Sequence, residues 1–97
     1  MKVIIGFGAR ADLTEIGDRI ALDNPMRAFT FVDELEARCE TLDPHPERFP
    51  VVGQFGSRPV HKLGHAGYLI FYVLAPSHIE VLRITHGSRD WLGMFDA

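Results

Sequence analysis

Cysteine, long apolar runs and an excess of positive charge are all scarce or absent in this chain of 97 residues. Cys39 has no second cysteine to pair with, so no disulfide within the chain contributes to the fold. No stretch reaches the roughly 20 apolar residues of a membrane-spanning helix, so we expect no membrane partner. The net charge is −3, whereas proteins that bind chiefly phosphates are normally basic. Direct binding of nucleic acid is therefore not favoured.

The length and the first residues set further expectations. A chain of 97 residues predicts a single domain, residues 1–97, with one modest core. The apolar run at residues 3–7 is too short for a signal peptide. Together with the single cysteine, this predicts a cytoplasmic protein.

Charge is unevenly distributed along the chain. Ten acidic residues lie between positions 12 and 47, but only Glu80 and Asp90 lie between positions 48 and 91. The same C-terminal stretch carries five basic residues and four histidines. The C-terminal half is therefore locally positive, and candidate contact residues are sought there.

Two stretches of the N-terminal half have apolar residues at helical spacing. The first stripe consists of Ala9, Leu13, Ile16 and Ile20. The break at residues 22–25 places Asn24, a good N-cap, before Pro25, which suits a first helical position. A second helix is predicted from there to about Leu42. Because the loop is short, the two helices must fold back as an antiparallel hairpin.

Strands are predicted on both sides of this hairpin. Residues 2–7 form a short β-branched strand before it. Residues 43–57 hold three prolines and two glycines, which predicts an ordered loop. Three strands then follow at 58–63, 68–74 and 79–85, joined by turns of hairpin length. The predicted class is α+β, with an N-terminal strand, an antiparallel helical hairpin and a three-stranded antiparallel meander (β-α-α-β-β-β).

More apolar surface is present than one helical hairpin covers. Phe29 and Phe31 point about 200° apart on a helix, so one core cannot easily bury both. The apolar strand 68–74 has apolar side chains on both faces, and the hairpin covers only one of them. Some of this surface is expected to remain available for a partner.

A polar cluster ends the last predicted strand. It comprises Arg83, His86, Arg89 and Asp90. The ordinary pKa of histidine, near 6.5, suits His86 for proton transfer, but the residue can equally hold the turn by hydrogen bonds. Arg83 is expected to be an exposed charge or to pair with Glu80 or Asp90. Both interpretations of the cluster remain open from the residues alone.

Metal and cofactor chemistry is not indicated. His61 and His65 are four residues apart, but they lie in a strand and its turn without a third ligand. Cys39 lies in the helical stripe and is expected to be a small buried apolar residue. We therefore predict no metal site and no cofactor.

Several short motifs occur in the same order as the predicted elements. They span Ala9–Leu13, Asp23–Ala28, Phe31–Leu35, Arg48–Pro50, Gly67–Tyr72 and Arg83–Asp90. Together they resemble the RelE/ParE superfamily of type II toxin–antitoxin toxins, and more closely its ParE branch, the plasmid stabilisation proteins. The resemblance covers nearly the whole chain.

The resemblance implies one of two activities. RelE-like members cut messenger RNA on the ribosome, and ParE-like members inhibit DNA gyrase. The nuclease branch typically carries an arginine after the Gly-Tyr pair, another past the last strand and a tyrosine in the final turn. This chain has Leu69, Arg89 and Phe95 there, and Lys62 at a basic strand position. These departures favour gyrase inhibition, with ribosome-dependent mRNA cleavage by His86 and Arg89 as the alternative. A non-toxic family member is the third possibility.

The resemblance also implies partners and contact residues. An acidic or amphipathic segment of a cognate antitoxin would neutralise the toxin in a hetero-oligomer. Predicted target-binding residues are Arg58, Lys62, His86, Arg89, Trp91 and Phe95. For Trp91 and Phe95 the alternative is that they pack on the sheet. Predicted antitoxin-binding residues are Leu13, Ile16, Ile20, Phe29 and Phe31.

Overall fold

Two helices pack on one face of a five-stranded sheet. A computed structural model describes residues 1–95 of the chain. The elements in order are β1 (Lys2–Ile5), α1 (Phe7–Ala21), α2 (Pro25–Glu40), a 3₁₀ turn (Pro46–Arg48), β2 (Val51–Phe55), β3 (Arg58–His65), β4 (Tyr68–Leu74) and β5 (His78–His86). The predicted α+β class, with a strand, a helical hairpin and then antiparallel strands, is confirmed. Within residues 1–95, no helix is long and apolar enough to cross a membrane.

Strand β2 corrects the prediction of a loop over residues 43–57. It pairs antiparallel with β3, and Phe55 lies opposite Arg58. The connection is a two-residue turn, Gly56–Ser57, in which Gly56 has a φ of 62°. This left-handed conformation is one that glycine adopts without steric cost. The meander therefore has four strands rather than three.

The sheet order, β1-β5-β4-β3-β2, brings the last strand next to the first. β1 runs parallel to β5, and the other neighbours are antiparallel. β3 and β4 are joined by Ala66 and Gly67, both with positive φ, the geometry of a tight two-residue hairpin. The register of the next pair sets Tyr68 opposite His86. The polar cluster therefore lies at the end of the sheet that carries this hairpin turn.

The helical hairpin forms as its stripes predict. The Asn24 side chain accepts a hydrogen bond from the Arg27 N–H at 3.1 Å, and Pro25 begins α2. The sheet-facing side of both helices is apolar. Its buried residues are Ala9, Leu13, Ile16, Phe31, Leu35 and Cys39. With Ile70, Tyr72 and Val81 from the sheet they form the main core.

The other face of the sheet has its own apolar cluster. Residues 91–95, which we call the C-terminal segment, lie over Val60, Phe71 and Val73. A Cβ added to Gly53 on β2 would lie 2.7 Å from the Phe95 carbonyl oxygen, so the segment approaches too closely for any side chain there. The expectation that this face stays open to a partner is therefore wrong around Phe71, which is fully buried.

Asp12 of α1 closes the edge of β5 where β1 stops. β1 accompanies β5 only from His78 to Val81. Beyond that point the Ile84 N–H donates to Asp12 Oδ2 at 2.8 Å. Arg83 donates to both oxygens of the same carboxylate, at 2.7 and 3.0 Å. The partner of Arg83 is therefore Asp12, not Glu80 or Asp90 as the sequence suggested. This hydrogen bonding raises the pKa of Arg83 above its ordinary value.

Candidate functional site

A polar cleft lies between α1 and the end of β5. It has a volume of about 540 Å³. Its lining residues are Asp12, Glu15, Ile16, Arg19, Tyr68, Ile84, Thr85, His86, Ser88 and Arg89. His86 and Arg89, two of the predicted target-binding residues, are both exposed here. We call this surface the polar cleft.

Ser88 sets the orientation of His86 within the cleft. The Ser88 backbone N–H donates to His86 Nδ1 at 3.1 Å, and Ser88 Oγ lies 2.6 Å from the same nitrogen. A backbone N–H can only donate, so Nδ1 is the acceptor and the neutral ring carries its proton on Nε2. The ring of Tyr68 packs edge-on at 5.1 Å. The His86 ring is therefore fixed in orientation, and its Nε2–H points away from these contacts as a hydrogen-bond donor.

The electrostatics of the cleft are mixed. Asp12, Glu15 and Arg19 come from α1, and they face His86 and Arg89 from β5 and the turn after it. Glu15 and Arg19 form only a loose, exposed pair at 3.8 Å. A surface for a nucleic-acid backbone would present mainly positive charge. Alternating charges of both signs are instead typical of a surface that contacts protein.

Three further predicted target-binding residues lie together on the far face of the sheet. Lys62 Nζ lies 4.7 Å from the centre of the Trp91 ring, a cation–π contact that ties β3 to the C-terminal segment. Phe95 packs against Phe71 at 5.1 Å and is only 9% exposed. Phe95 therefore belongs to the core, which corrects its prediction as a target contact. Leu92 is the exposed large apolar residue of this segment.

Arg58 lies apart from the polar cleft, on the same face of β3 as Val60 and Lys62 and beside Val73 of the far-face cluster. It begins β3, whereas His65 at the other end of β3 lies beside the hairpin turn next to His86. Seven residues of strand separate the two ends, roughly 23 Å at about 3.3 Å per residue. The Arg58 guanidinium donates to the Leu74 carbonyl at 2.9 Å. The six predicted target-binding residues therefore divide between the polar cleft, with His86 and Arg89, and the far face of the sheet, with the other four.

A second surface lies between α1 and α2 on the side away from the sheet. This helix groove has a volume of about 520 Å³. Its lining residues are Arg10, Leu13, Thr14, Gly17, Asp18, Ala21, Pro25, Ala28, Phe29, Val32 and Asp33. Phe29 lines it while 75% exposed. Leu22 and Met26, at the tip of the hairpin, are also exposed. Contiguous apolar exposure of this kind is typical of a partner surface.

The predicted antitoxin-binding residues divide between the groove and the core. Leu13 and Phe29 line the groove. Leu13 is nevertheless only 4% exposed and belongs to the main core, as do Ile16 and Phe31. Phe31 packs 5.3 Å from Tyr68. Burial therefore corrects the prediction of all three as partner contacts. Ile20 packs half-buried against the main core. The expectation that one core cannot cover both phenylalanines is confirmed.

Sequence reasoning did not assign the small residues that shape the groove to a partner surface. Gly17 and Ala21 lie one helical turn apart on α1, facing Ala28 and Val32 on α2. A Cβ on Gly17 would lie 3.2 Å from Val32 Cγ2. Their spacing of four residues was the available signal, since it puts both on one helix face.

The two histidines of β3 differ in their contacts: His61 is hydrogen-bonded and stacked, whereas His65 Nε2 is buried without a hydrogen bond among the described residues. The His61 ring stacks on Tyr72 at 5.2 Å, and its Nδ1 lies 2.8 Å from the Phe49 carbonyl oxygen. His65 Nε2 lies 3.7 Å from Glu34 Oε1. Among the described residues, no three His, Cys, Asp or Glu side chains converge as metal ligands would.

Comparison with a solved structure shows that this fold is a known one. A chain of the chromosomal ParDE toxin–antitoxin system from P. aeruginosa superimposes with a TM-score of 0.73. The match covers 89% of this chain and 95% of that chain at 18% sequence identity, so the two share a fold. A curated relative, toxin RelE2 of Caulobacter vibrioides, is 29% identical over 89 residues. That alignment covers 91% of this chain and 97% of the relative.

The family follows from a match at the level of sequence. The model of the ParE toxin of the type II toxin–antitoxin system parDE matches residues 4–91. The chain therefore belongs to the ParE toxin family, within the RelE/ParE superfamily that its motifs indicated.

Proposed function

We propose that this toxin stops bacterial growth by binding DNA gyrase in the cytoplasm, and that it breaks no bond itself. The supporting observation concerns two positions at which the nuclease branch carries an arginine and a tyrosine, and this chain carries apolar residues. Leu69 and Phe95 stand there, and both pack into the apolar cluster on the far face of the sheet. Neither side chain can stabilise a phosphate charge or exchange a proton, as RNA cleavage requires.

The polar cleft supplies the contact surface in this proposal. Glu15 is an exposed carboxylate that would repel an RNA backbone, whereas a protein surface can pair with charges of both signs. The Asp12 carboxylate is already paired with Arg83. Arg89 is exposed beside the held ring of His86. Together they offer a guanidinium and an Nε2–H donor to a carboxylate or carbonyl on the target.

Ribosome-dependent mRNA cleavage is the second candidate. One observation favours it: Tyr68, His86 and Arg89 line the same cleft, so a proton carrier and a cation lie together. In that case His86 would act as acid or base and Arg89 would stabilise the developing charge on phosphate. Lys62 lies on the opposite face of the sheet over Trp91 and would contribute only after the C-terminal segment moves.

Two assays on purified protein separate these candidates. The proposed function predicts that the toxin blocks DNA supercoiling by gyrase and leaves messenger RNA intact on translating ribosomes. Arg89→Ala should lose the inhibition, whereas Arg38→Ala, a cation remote from the cleft, should retain it. Site-specific cleavage in the ribosomal A site would establish the nuclease instead. Unimpaired growth on expression without antitoxin would indicate a non-toxic family member.

Neutralisation belongs to the helix groove in this proposal. A cognate antitoxin would place the apolar face of a helix between α1 and α2, covering the exposed ring of Phe29. The two chains would then form the toxin–antitoxin hetero-oligomer.

A further inference from the structure

The rims of the helix groove are acidic. Successive helix residues are about 100° apart, so Asp18 lies outside Gly17 on α1, and Asp33 lies outside Val32 on α2. Each carboxylate thus borders the apolar floor from its own helix. Both are exposed, and neither has an ion-pair partner within the described part of the chain.

The one basic residue lining the groove does not offset these charges. Arg10 donates to Glu36 Oε2 at 2.9 Å, so its charge is already paired within α1 and α2. Asp23, in the loop at the hairpin tip, adds a third exposed carboxylate near one end. The groove therefore presents an apolar floor with a net negative border.

We infer that the helix groove selects an amphipathic helix whose apolar stripe is flanked on both sides by lysine or arginine. The shape favours a helix, because the groove follows residues 10–21 of α1 and 25–33 of α2, roughly 12–17 Å at about 1.5 Å per residue. The charge favours basic flanks, because a helix in this groove sets its two flanking rows beside Asp18 and Asp33. Acidic flanks would meet like charges at both rims.

This inference rests on the proposed neutralisation through the groove and adds the chemistry of the segment that binds there. An acidic antitoxin segment, one of the two kinds expected from sequence, fits this border poorly. The basic rows would determine which helix is accepted, and the apolar stripe would supply most of the affinity.

The test compares two synthetic helical peptides of equal length with the same Leu/Ala stripe, one flanked by lysines and one by glutamates. Isothermal titration calorimetry with the purified wild-type chain should show roughly tenfold tighter binding of the lysine peptide. Added salt should reduce the difference in affinity between the two peptides, because it screens the charges. Phe29→Ala should weaken both peptides, which assigns the binding to the groove.

Charge reversal gives the decisive comparison. The double variant Asp18→Lys/Asp33→Lys should prefer the glutamate peptide. The control Glu40→Lys/Glu47→Lys makes the same change in net charge away from the groove and should keep the wild-type preference. Equal binding of both peptides to the wild type would refute the inference, as would equal reversal in the control. Gyrase plays no part in this assay, so a failed supercoiling assay would overturn the proposed target and leave this preference standing.

Discussion

Arg83 on β5 and Asp12 on α1 are joined by two hydrogen bonds, from Nε at 2.7 Å and from Nη2 at 3.0 Å, across 71 positions of sequence. The carboxylate also accepts the Ile84 N–H, so it satisfies a backbone donor that β1 does not reach. This single side chain fixes the first turns of α1 to the strand that ends in the polar cleft.

Removal of the Asp12 carboxylate should therefore cost more than removal of its arginine partner. Asp12→Ala leaves the Ile84 N–H without its acceptor, and we expect a loss of about 1–3 kcal/mol. The Arg83 side chain is 41% exposed, so Arg83→Ala should cost less than about 1 kcal/mol because solvent screens the pair. Urea denaturation measures both. Equal losses would show that the backbone hydrogen bond contributes nothing; Glu36→Ala, which breaks an exposed pair, serves as the control.

The C-terminal segment provides a matched pair of apolar residues. Phe95→Ala opens a space beside Phe71 in the far-face cluster and should destabilise the protein by about 3 kcal/mol. Leu92→Ala, at a side chain that is 76% exposed, should change the stability by less than about 0.5 kcal/mol. The fluorescence of Trp91, the single tryptophan, reports unfolding in both. A Phe95→Ala variant as stable as Leu92→Ala would mean that the segment does not pack on the sheet.

Substitution of Phe29 should affect partner binding, whereas substitution of Phe31 should affect the stability of the fold. Phe31 is 6% exposed in the main core, so Phe31→Ala should cost about 3–5 kcal/mol. Phe29→Ala should leave the melting temperature nearly unchanged and abolish growth rescue by the cognate antitoxin. Calorimetry and co-expression with the antitoxin measure the two effects. Full rescue of Phe29→Ala would remove the groove as the site of neutralisation.

His86 distinguishes contact from proton transfer. Glutamine keeps an N–H donor but does not titrate near neutral pH, so His86→Gln should reduce gyrase inhibition by less than about tenfold if the residue only makes contacts. Acid–base catalysis would instead lose about 10²–10⁴-fold. His78→Gln, at the opposite end of β5, controls for loss of an imidazole. The readouts are the supercoiling and mRNA cleavage assays, together with a circular dichroism spectrum that confirms folding.

The thiol of Cys39 should be protected at neutral pH and destabilising at high pH. Burial raises the pKa of Cys39 from 9.0 to about 12, so the folded thiol should react with an aromatic disulfide only after unfolding. The neutral thiol contributes its full stability below pH 9, and that contribution falls as the pH rises towards 12. Burial raises the pKa of Tyr72 to about 12 and adds to the same trend. Thiol titration with and without denaturant checks the first point, and urea midpoints between pH 8 and 11 check the second. Rapid reaction of Cys39 with the aromatic disulfide in the native protein would contradict the predicted protection of the thiol.

Local patterns predicted the helices well, because a stripe such as Ala9, Leu13 and Ile16 records which side faces the core. Local patterns did not predict strand β2. Glycine is typical of loops, but the absence of a side chain at Gly53 lets the backbone of Phe95 approach. This contact joins residues 42 positions apart, so a short stretch of sequence does not show it. Asp12 and Arg83 were missed for the same reason.

The sequence predicted which residue types the candidate site contains better than it predicted which of them lie together. His86 and Arg89 do lie together, because both follow one strand end. Arg58, Lys62 and Phe95 were grouped with them by chemistry, although strand register and sheet face separate them. Two residues of the groove, Leu13 and Phe29, were predicted from sequence, but its shape was not, since that depends on residues that have little or no side chain.

The two proposed surfaces are also ordered in time. Every residue lining the helix groove lies between positions 10 and 33, whereas one wall of the polar cleft consists of residues 84–89. A ribosome making this chain therefore synthesises the whole of the antitoxin's docking surface before it begins the second wall of the cleft. The surface proposed for neutralisation is therefore synthesised before the surface proposed for toxicity is complete.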